Sequence, residues 1–240
     1  GFILTARLLS GFQVKRSIRS LRPGERLAIA LQELGPSFIK FGQMLSTRPD
    51  LAGEAIADDL SALQDDLPPF SSTEARRAIE AELDGTLDEL FESFDDEPVA
   101  AASIAQVHFA HSIDGAAVAV KVLRPGIEAR FRRDIYLLLW LARLLERTRP
   151  ALRRLRPLEV VRTFEATVNT EMDLRLEAAA ASELRDNCAA DTNFRVPDVD
   201  WTRTSRRIMT MERVDGIRID DIAALEAAGF APRDVLQHSA

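Results

Sequence analysis

Lysine is rare in this sequence, and two of its three lysines stand where a compact cation could do chemistry. The chain contains Lys15, Lys40 and Lys121, and the other 28 of its 31 basic residues are arginine. A lysine ammonium is a compact charge with an adjustable pKa, whereas an arginine guanidinium is a flat fork, so the two are not interchangeable in a site that grips a phosphate. Lys40 and Lys121 are therefore candidate functional residues, with ordinary surface lysines as the alternative interpretation.

A β-hairpin is predicted to carry Lys121. Residues 104–109 alternate between apolar and polar side chains, Asp114-Gly115 is a typical hairpin turn, and residues 116–123 form a second apolar run. Lys121 lies on this second strand, where a buried ammonium is costly unless an anion meets it. The segment Val118-Ala119-Val120-Lys121 matches the signature of the phosphate-contacting lysine strand of kinases.

The loop before the hairpin offers small side chains that leave the backbone accessible. A protein kinase has a glycine-rich loop here, whereas this chain has alanines followed by a serine. The loop is therefore expected to be stiffer. Farther along, Met211-Glu212-Arg213-Val214 falls where a kinase fold holds adenine by backbone groups. The candidate nucleotide-binding residues are Val99, Ala100, Ala101, Ala102, Ser103, Ile104, Ala105, Gln106, Val107, Lys121, Glu212 and Val214.

Three motifs, in one order along the chain, give the sequence a resemblance to a known family. The first is the alanine-rich loop with Ser103-Ile104-Ala105-Gln106-Val107-His108 behind it and Lys121-Val122-Leu123-Arg124-Pro125-Gly126-Ile127 after the hairpin. The second is Lys40-Phe41-Gly42-Gln43, and the third is Glu171-Met172-Asp173. With their flanks they cover about residues 30 to 215. They resemble the alanine-rich loop, the Lys-x-Gly-Gln motif and the Glu-x-Asp helix of the UbiB/ADCK family of atypical kinase-like proteins.

The resemblance implies a fold, a cofactor and a set of orienting residues. The implied fold is α+β, a protein-kinase-like small lobe of antiparallel sheet and helices, which binds ATP with Mg²⁺. The Lys-x-Gly-Gln helices are expected to lie across the place where a protein substrate would bind, which disfavours phosphorylation of proteins. The site-gating and orienting residues are then Lys40, Gly42, Gln43, Glu171, Asp173 and Glu177.

A helix that begins at Pro157 is predicted to carry the acids that meet the two lysines. Three acids lie near its end: Glu171, Asp173 and Glu177. On one continuous helix the second and third share a face, while the first lies on another side. The three acids cannot all pair with the same lysine, so one acid is expected to pair with Lys121 and another with Lys40. Which acid pairs with which lysine stays open, and a surface pair of Glu171 with Arg175 is the alternative.

Composition limits the class of protein and its partners. The 240 residues are 46% hydrophobic and 29% charged, as in ordinary globular proteins. A formal net charge of −7 argues against nucleic acid as a partner, because phosphate binding needs a basic face. A single cysteine, Cys188, excludes a disulfide framework. No apolar run reaches the ~20 residues of a membrane span, so this piece is expected to be soluble. The chain starts at Gly1 without a signal peptide, and is expected to be part of a longer protein.

Helical signals dominate the first third of the chain. Helices are predicted to begin at Pro23 and at Pro36, with Gly35 between them, and a further helix is predicted over 52–64. Capping boxes mark two more helix starts, at Ser71 with Glu74 and at Thr86 with Glu89. Gly1 to Leu21 is a basic, weakly amphipathic start that could lie on a membrane or dock on a neighbouring domain or dimer partner.

The remaining elements complete a division into three parts. A long helix is predicted over 126–148, and the chain around its end carries a cluster of arginines that is either a solvated face or a contact to anionic lipid headgroups. Strands are predicted over 195–197 and 207–212, and helices over 220–228 and from Pro232. We expect residues 1–92 to form a helical extension, 93–215 the kinase-like small lobe, and 216–240 the start of a second lobe.

The motifs that complete a kinase site do not occur in the sequence. There is no catalytic-loop Asp with its Asn and no Asp-Phe-Gly, and no residue is assigned as catalytic or as a metal ligand. The resemblance places these residues, including the Mg²⁺ ligands, after Ala240. Residues 1–240 alone are therefore expected to show no ATP turnover and at most weak nucleotide binding.

Two functions from different classes fit the sequence. The first is an atypical kinase-like ATPase that supports ubiquinone biosynthesis at the cytoplasmic side of the inner membrane, peripheral or anchored by a segment outside this chain. Its expected partners are ATP, a quinone precursor or other lipid, an anionic membrane surface and quinone-biosynthesis proteins. The second is a non-catalytic, nucleotide-sensing lipid-binding or scaffold protein of a quinone-synthesis complex. A true protein kinase ranks third, because the alanine-rich loop argues against it.

Overall fold

The computed structural model describes residues 21–63, 67–191, 194–219 and 221–230. The helices are α1 (Pro23–Leu34), α2 (Pro36–Ser46), α3 (Pro49–Ala52), α4 (Glu54–Ser61), α5 (Ser72–Leu83), α6 (Leu87–Leu90), α7 (Ile127–Thr148), α8 (Pro157–Glu171), α9 (Leu174–Asn187) and α10 (Ile222–Ala227). The strands are β1 (Phe91–Phe94), β2 (Ala100–Ala101), β3 (Ala105–Ser112), β4 (Ala117–Leu123) and β5 (Ile208–Glu212). Single 3₁₀ segments cover Pro150–Leu155 and Trp201–Arg203. The predicted α+β class is confirmed.

Backbone contacts divide the chain into two compact units. Among the described residues, those of 21–63 and 131–164 form the helical unit, and those of 67–130 and 165–230 form the sheet unit. This division differs from the predicted boundary at residue 92, because α5 and α6 pack with the sheet and β1 belongs to it. The sequence shows that these two segments are helical, but a helical period does not reveal which core a helix joins.

Proline and glycine set the ends of the first helices. Pro23 and Pro36 stand at the first turns of α1 and α2, where the missing N–H group costs nothing. Gly35 between them has a φ of 105°, a value that favours glycine. These predicted helices are confirmed. The helix predicted over 52–64 is shorter, because Gly53, with a φ of 82°, separates α3 from α4.

Aromatic rings and one buried polar contact hold the helical unit together. Phe131 on α7 and Phe164 on α8 are almost fully buried, and Phe41 on α2 meets Phe164 edge-on with ring centroids 5.2 Å apart. Ser37 on α2 donates a 2.8 Å hydrogen bond to the buried carboxylate of Asp134 on α7. This bond satisfies polar groups that would otherwise be costly to bury, and it fixes α2 against α7.

The sheet is antiparallel, with the order β1-β3-β4-β5 and β2 paired to β3. Strands β3 and β4 form the predicted hairpin, and Gly115 in its turn has a φ of 83°. One face of the sheet is a core in which β4 packs against α5 and α6: Ile79, Leu87, Val118, Val120 and Val122. Because side chains alternate along a strand, Ala119 and Lys121 of β4 point to the opposite face.

Two predictions about the second half of the chain are wrong. The sequence predicts one helix from Pro157 through Glu177, but α8 ends at Glu171 and Asp173 caps a new helix, α9. The apolar period misleads here because Met172 is buried like the stripe before it, although it lies between the two helices. Residues 195–197 do not form a strand. The strand over 207–212 and a helix after residue 220 are confirmed as β5 and α10.

Some predictions concern parts of the chain that are not described. The basic amphipathic start lies almost entirely in residues 1–20, which include Lys15, and the helix expected from Pro232 onward lies in residues 231–240; both fall outside the described residues. Among the helices that the structure does describe, none combines the length and the apolar character needed to cross a bilayer.

Candidate functional site

Lys121 and Glu177 form a two-pronged ion pair in the sheet unit. The Nζ atom of Lys121 donates to Oε1 of Glu177 at 2.6 Å and to Oε2 at 2.8 Å. The two side chains are 30% and 48% exposed, so solvent screens their attraction and the pair adds little to folding stability. Its consequence is geometric: it holds the ammonium in one place on the face of β4 that points away from the α5 and α6 core.

The start of α9 determines where Glu177 stands. Leu174 and Ala178 are fully buried, and the N–H of Leu174 donates to the carbonyl of Arg206 at 2.9 Å. This bond ties the first turn of α9 to the chain just before β5. Glu177 lies next to that buried face and one helical turn into α9, and from there its carboxylate reaches Lys121.

Asp173, a predicted orienting residue, caps α9 with its carboxylate. Its carboxylate accepts a 3.2 Å hydrogen bond from the N–H of Arg175 and two more, at 2.8 and 2.6 Å, from the guanidinium of the same residue. The Arg175 guanidinium holds the pKa of Asp173 below its ordinary value. The acid of Lys121 is therefore Glu177, a choice that the sequence left open, and the alternative surface partner of Arg175 is Asp173 rather than Glu171.

The alanine-rich loop borders the same sheet face as the lysine. Ala100, Val107 and Lys121 are paired in one row across β2, β3 and β4, and directly paired residues of antiparallel strands point to the same face. Two strand spacings, about 10 Å, separate the loop strand from the lysine strand. The N–H of Ala102 donates to the carbonyl of Ala105 at 2.8 Å, which closes the loop into a tight turn.

Arg124, which the sequence reasoning did not select as a site residue, braces the loop. Its guanidinium donates to the carbonyl of Ala102 at 2.9 Å and to the carbonyl of Pro68 at 2.9 Å. Its backbone N–H donates to the carbonyl of Ile104 at 2.8 Å. The contacts to Ala102 and Ile104 fix the loop to the end of the lysine strand, and the contact to Pro68 joins both to the chain before α5. The sequence feature that could have identified Arg124 is the Arg-Pro-Gly segment that directly follows the lysine strand.

The buried hydroxyl of Ser103, at the turn of the loop, indicates whether the site fits a cofactor that carries phosphate groups. The residue is fully buried, and among the residues that the structure describes no protein group hydrogen-bonds its Oγ. Leaving a buried hydroxyl without a partner costs about 1–3 kcal/mol. A phosphate oxygen could accept from this hydroxyl, and Lys121 supplies a cation on the same sheet face. The residues present therefore fit a nucleotide phosphate.

Gln106, one of the predicted nucleotide-binding residues, uses its side chain in the interior. Its Oε1 accepts from the N–H of Phe70 at 3.0 Å, and its Nε2 donates to the carbonyl of Phe70 at 3.3 Å and to Nε2 of His108 at 2.8 Å. The residue is 1% exposed. Its amide thus ties the chain before α5 to β3, and any contact of Gln106 with a nucleotide is restricted to its backbone.

His108 completes this buried network as a neutral imidazole. Its Nδ1 lies 2.8 Å from the carbonyl of Asp95, which can only accept, so Nδ1 carries the proton. Its Nε2 then accepts from the amide of Gln106. Burial lowers the pKa of His108, and the ring stacks on Phe94 with centroids 4.7 Å apart.

The other predicted nucleotide residues separate into buried and exposed positions. Ile104 and Ala105 are buried, whereas Val99 is half exposed. At the predicted adenine segment, the N–H of Glu212 donates to the carbonyl of Asp198 at 2.8 Å, and its carboxylate pairs with Arg195. Val214 is exposed just beyond the end of β5.

The Lys-x-Gly-Gln motif lies on α2 in the helical unit. Gln43 donates to the carbonyl of Leu63 at 3.3 Å. Gly42 is buried, and a Cβ atom there would stand 2.4 Å from Cδ1 of Leu63 and 2.7 Å from Cδ1 of Leu31. Glycine therefore permits the close packing of α2. Lys40 is half-buried on the same helix, and its predicted contact with an acid of the sheet unit, at Glu171, Asp173 or Glu177, stays a prediction.

Three features together define the small lobe of a protein-kinase-like fold. They are an antiparallel sheet with a lysine on a central strand, a helix that supplies a glutamate to that lysine, and a small-residue loop on the neighbouring strands. The family model described as ABC1 atypical kinase-like domain matches residues 62–240, and the chain belongs to this family. The family resemblance predicted from the three motifs is therefore confirmed.

Relatives and one solved structure agree with this assignment. A probable protein kinase UbiB of Marinobacter nauticus is 48% identical over 213 residues, which cover 89% of this chain and 39% of that protein. The protein of the same name from Xylella fastidiosa is 46% identical over 237 residues, or 93% of this chain and 43% of the relative. The complex of Rv3197 with erythromycin from Mycobacterium tuberculosis matches with a TM-score of 0.52 and 28% identity over 93% of this chain and 49% of that one. The chain thus spans less than half the length of these proteins.

Proposed function

We propose that the protein binds MgATP at this site and acts as an atypical kinase-like ATPase that supports isoprenoid-quinone (ubiquinone) biosynthesis. The observation that carries the proposal is the ion pair of Lys121 with Glu177 beside the alanine-rich loop. In kinase-like proteins a lysine oriented by a helix-borne acid contacts the phosphates of ATP. The quinone part of the proposal is supported by the UbiB name that the relatives carry.

The residues of the sheet unit have distinct roles in this proposal. The ammonium of Lys121 binds phosphate oxygens, and Glu177 keeps it pointed at them. The backbone of Ala100 to Ser103 lies along the phosphates, with the Ser103 hydroxyl as an additional donor. The backbone near Glu212 and Val214 holds the adenine. Arg124 keeps the loop in the conformation that the phosphates require.

The bound Mg²⁺ would neutralise phosphate charge during transfer. Because the chain contains no Asp-Phe-Gly and no catalytic-loop Asp, we place its ligands in the second lobe of the whole protein. The proposal locates the whole protein at the cytoplasmic side of the inner membrane, with a quinone precursor or another lipid and quinone-biosynthesis proteins as partners. The Lys-x-Gly-Gln helix, with Lys40, is proposed to cover the site against protein substrates.

A second function, nucleotide sensing without turnover, is compatible with the same loop. The loop that would close over the phosphates is braced by Arg124 and closed on itself by the hydrogen bond between Ala102 and Ala105. A loop fixed in this way suits binding that switches a conformation as well as binding that leads to catalysis. In this alternative the protein is a lipid-binding or scaffold protein whose ATP-bound form differs from its ADP-bound form.

ATP turnover by the full-length protein, with and without a quinone precursor or anionic vesicles, separates the two functions. The ATPase proposal predicts turnover that rises when the lipid component is added and that is lost in Lys121→Ala. Tight MgATP binding with no turnover under any of these conditions would favour the sensor. Absence of MgATP binding by the full-length protein would contradict both.

A further inference from the structure

The outer face of α7 is apolar, aromatic and exposed. Its inner face is buried in the helical unit through Phe131, Ile135, Leu138 and Ala142. At about 100° per residue, four large side chains fall in one sector on the opposite side of the helix: Tyr136, Leu137, Trp140 and Leu144. Tyr136 is 71% exposed and Trp140 is 53% exposed. This sector of α7 is called the outer face below.

Arginines of α7 border the outer face, whereas the carboxylates of α7 lie on other sides of the helix. Arg132, Arg133, Arg143 and Arg147 project beside or within the sector and are exposed. The acids of α7 lie elsewhere on the helix: Glu128 pairs with Arg206, Asp134 is buried against Ser37, and Glu146 stands at the edge of the buried face. An aromatic and leucine-rich surface ringed by guanidinium groups is the composition of helices that lie in a lipid interface.

The basic character continues beyond the end of α7. The 3₁₀ segment and its flanks add Arg149, Arg153 and Arg154, all exposed, and Arg156, which pairs with Glu159 at 3.0 Å. From residue 129 to 158 the sequence has nine arginines and two acids, a net charge of +7 in a chain whose total is −7, so the other residues together carry −14. The positive charge of the sequence is therefore concentrated on α7, which carries the outer face, and on the segment that directly follows it.

We propose that the outer face of α7 and the adjoining arginines dock on an anionic lipid bilayer. Tyr136 and Trp140 have the amphipathic rings that settle at the headgroup level, and Leu137 and Leu144 insert between the acyl chains just below it. The arginines reach up to the lipid phosphates. The long stems of these arginines add apolar area to the same surface.

Charge argues for a bilayer rather than for a second copy of the chain. In a two-fold dimer through this face, the same patch meets itself, so the arginines of one copy would face those of the other. Like charges that are brought together in this way oppose association. An anionic bilayer instead presents a plane of phosphates to the arginines and an apolar interior to the leucines and aromatic rings, so it satisfies both features at once.

The two tryptophans of the chain make the proposal testable. The sequence has Trp140 on the outer face and Trp201 in the sheet unit. The full-length protein is mixed with vesicles of phosphatidylglycerol and phosphatidylcholine that carry brominated acyl chains, and tryptophan quenching is measured. Quenching should fall in Trp140→Phe and stay unchanged in Trp201→Phe. Vesicles of phosphatidylcholine alone should bind at least tenfold more weakly.

Matched variants separate the charge from the apolar surface. Arg147→Gln with Arg154→Gln should weaken binding to the anionic vesicles and lower its dependence on salt, while Arg26→Gln with Arg77→Gln, which removes the same charge elsewhere, should not. Trp140→Ser with Leu144→Ser should reduce binding about tenfold or more, while Ile113→Ser with Leu184→Ser, which changes exposed apolar residues of the sheet unit, should have little effect.

Three results would overturn the proposal: no binding to anionic vesicles, quenching that depends on Trp201 instead of Trp140, or equal effects of the test and control variants. Self-association that is lost in the Trp140 and Leu144 variant, without vesicle binding, would assign the face to a second copy. None of these readouts requires nucleotide. A failure here therefore leaves the proposed ATP site unaffected, and loss of ATP binding leaves the lipid surface unaffected.

Discussion

The ammonium of Lys121 lies 2.6 and 2.8 Å from the two carboxylate oxygens of Glu177, which follows it by 56 residues. One partner stands on a central strand and the other on the first turns of α9, so the pair joins the two elements that border the candidate nucleotide site. Because both side chains are partly exposed, the pair contributes to the geometry of the site more than to folding stability.

Glu177→Gln should weaken nucleotide binding without unfolding the protein. The amide keeps the size of the side chain but removes the charge that holds the ammonium, so we expect MgATP affinity to fall about tenfold. The free energy of unfolding should change by no more than about 1 kcal/mol, as for other partly exposed pairs. Isothermal titration and thermal melting measure the two quantities. Glu183→Gln, on the same helix and exposed, is the control, and an equal loss of affinity in that variant would remove the orienting role of Glu177.

Ala102→Gly should change the relative affinity of the protein for ATP and ADP. Glycine restores backbone freedom to the loop, which the structure otherwise closes through the Ala102 to Ala105 hydrogen bond. The fold should remain intact. Ala116→Gly, in the hairpin turn, adds the same freedom away from the loop and should leave the ratio unchanged. If both variants keep the wild-type ratio within error, the alanines serve only in packing.

Arg124→Lys should loosen the loop while it keeps the charge. A lysine cannot reach the carbonyls of Ala102 and Pro68 with one planar fork, so we expect a loss of about 1–3 kcal/mol in the free energy of unfolding, together with weaker nucleotide binding. If Arg124 acts by positioning the loop, the weaker nucleotide binding of Arg124→Lys depends on the conformation of the loop. In the double variant with Ala102→Gly the affinity losses should therefore be smaller than their sum. Strict additivity would show that Arg124 and the loop affect binding independently, which would contradict the positioning role.

Acidification should destabilise the sheet unit through His108. Burial lowers the pKa of this imidazole below its ordinary value of 6.5, and a protonated ring would set an N–H group against the amide of Gln106. The unfolded chain then binds more protons than the native one below pH 6.5, so the free energy of unfolding falls as the pH drops from 6.5 toward the native pKa. Denaturant melts across this range should show that slope. It should be reduced in His108→Gln and unchanged in His111→Gln, and a slope that survives His108→Gln would assign the titration to another group.

The local part of the site could be predicted from the sequence. Alternating side chains, the Asp114-Gly115 turn and the small residues before the hairpin depend on neighbours only a few positions away, and they place Lys121 and the loop correctly. The helix starts at Pro23, Pro36 and Ser71 are equally local, because a cap or a proline acts within one turn.

The long-range part could not be predicted in the same way. The break between α8 and α9 places Glu177, and it depends on the Leu174 N–H binding the carbonyl of Arg206, a residue 32 positions later. Gln106 fits a nucleotide loop by its position, but its partner Phe70 lies 36 residues earlier. Arg124 belongs to a recognisable Arg-Pro-Gly segment, but its bracing role depends on the carbonyls of Ala102 and Pro68, which the fold brings to it from 22 and 56 residues earlier.

The melting shift caused by MgATP in the full-length protein, compared between wild type and Lys121→Ala, tests the central claim most directly. A ligand that binds only the native state raises the melting temperature, so the wild type should show a shift and Lys121→Ala should show none. Lys121→Arg should lose most of the shift, because a guanidinium fork does not replace the point charge. A full shift in Lys121→Ala would contradict the assignment of this site to the phosphates of ATP.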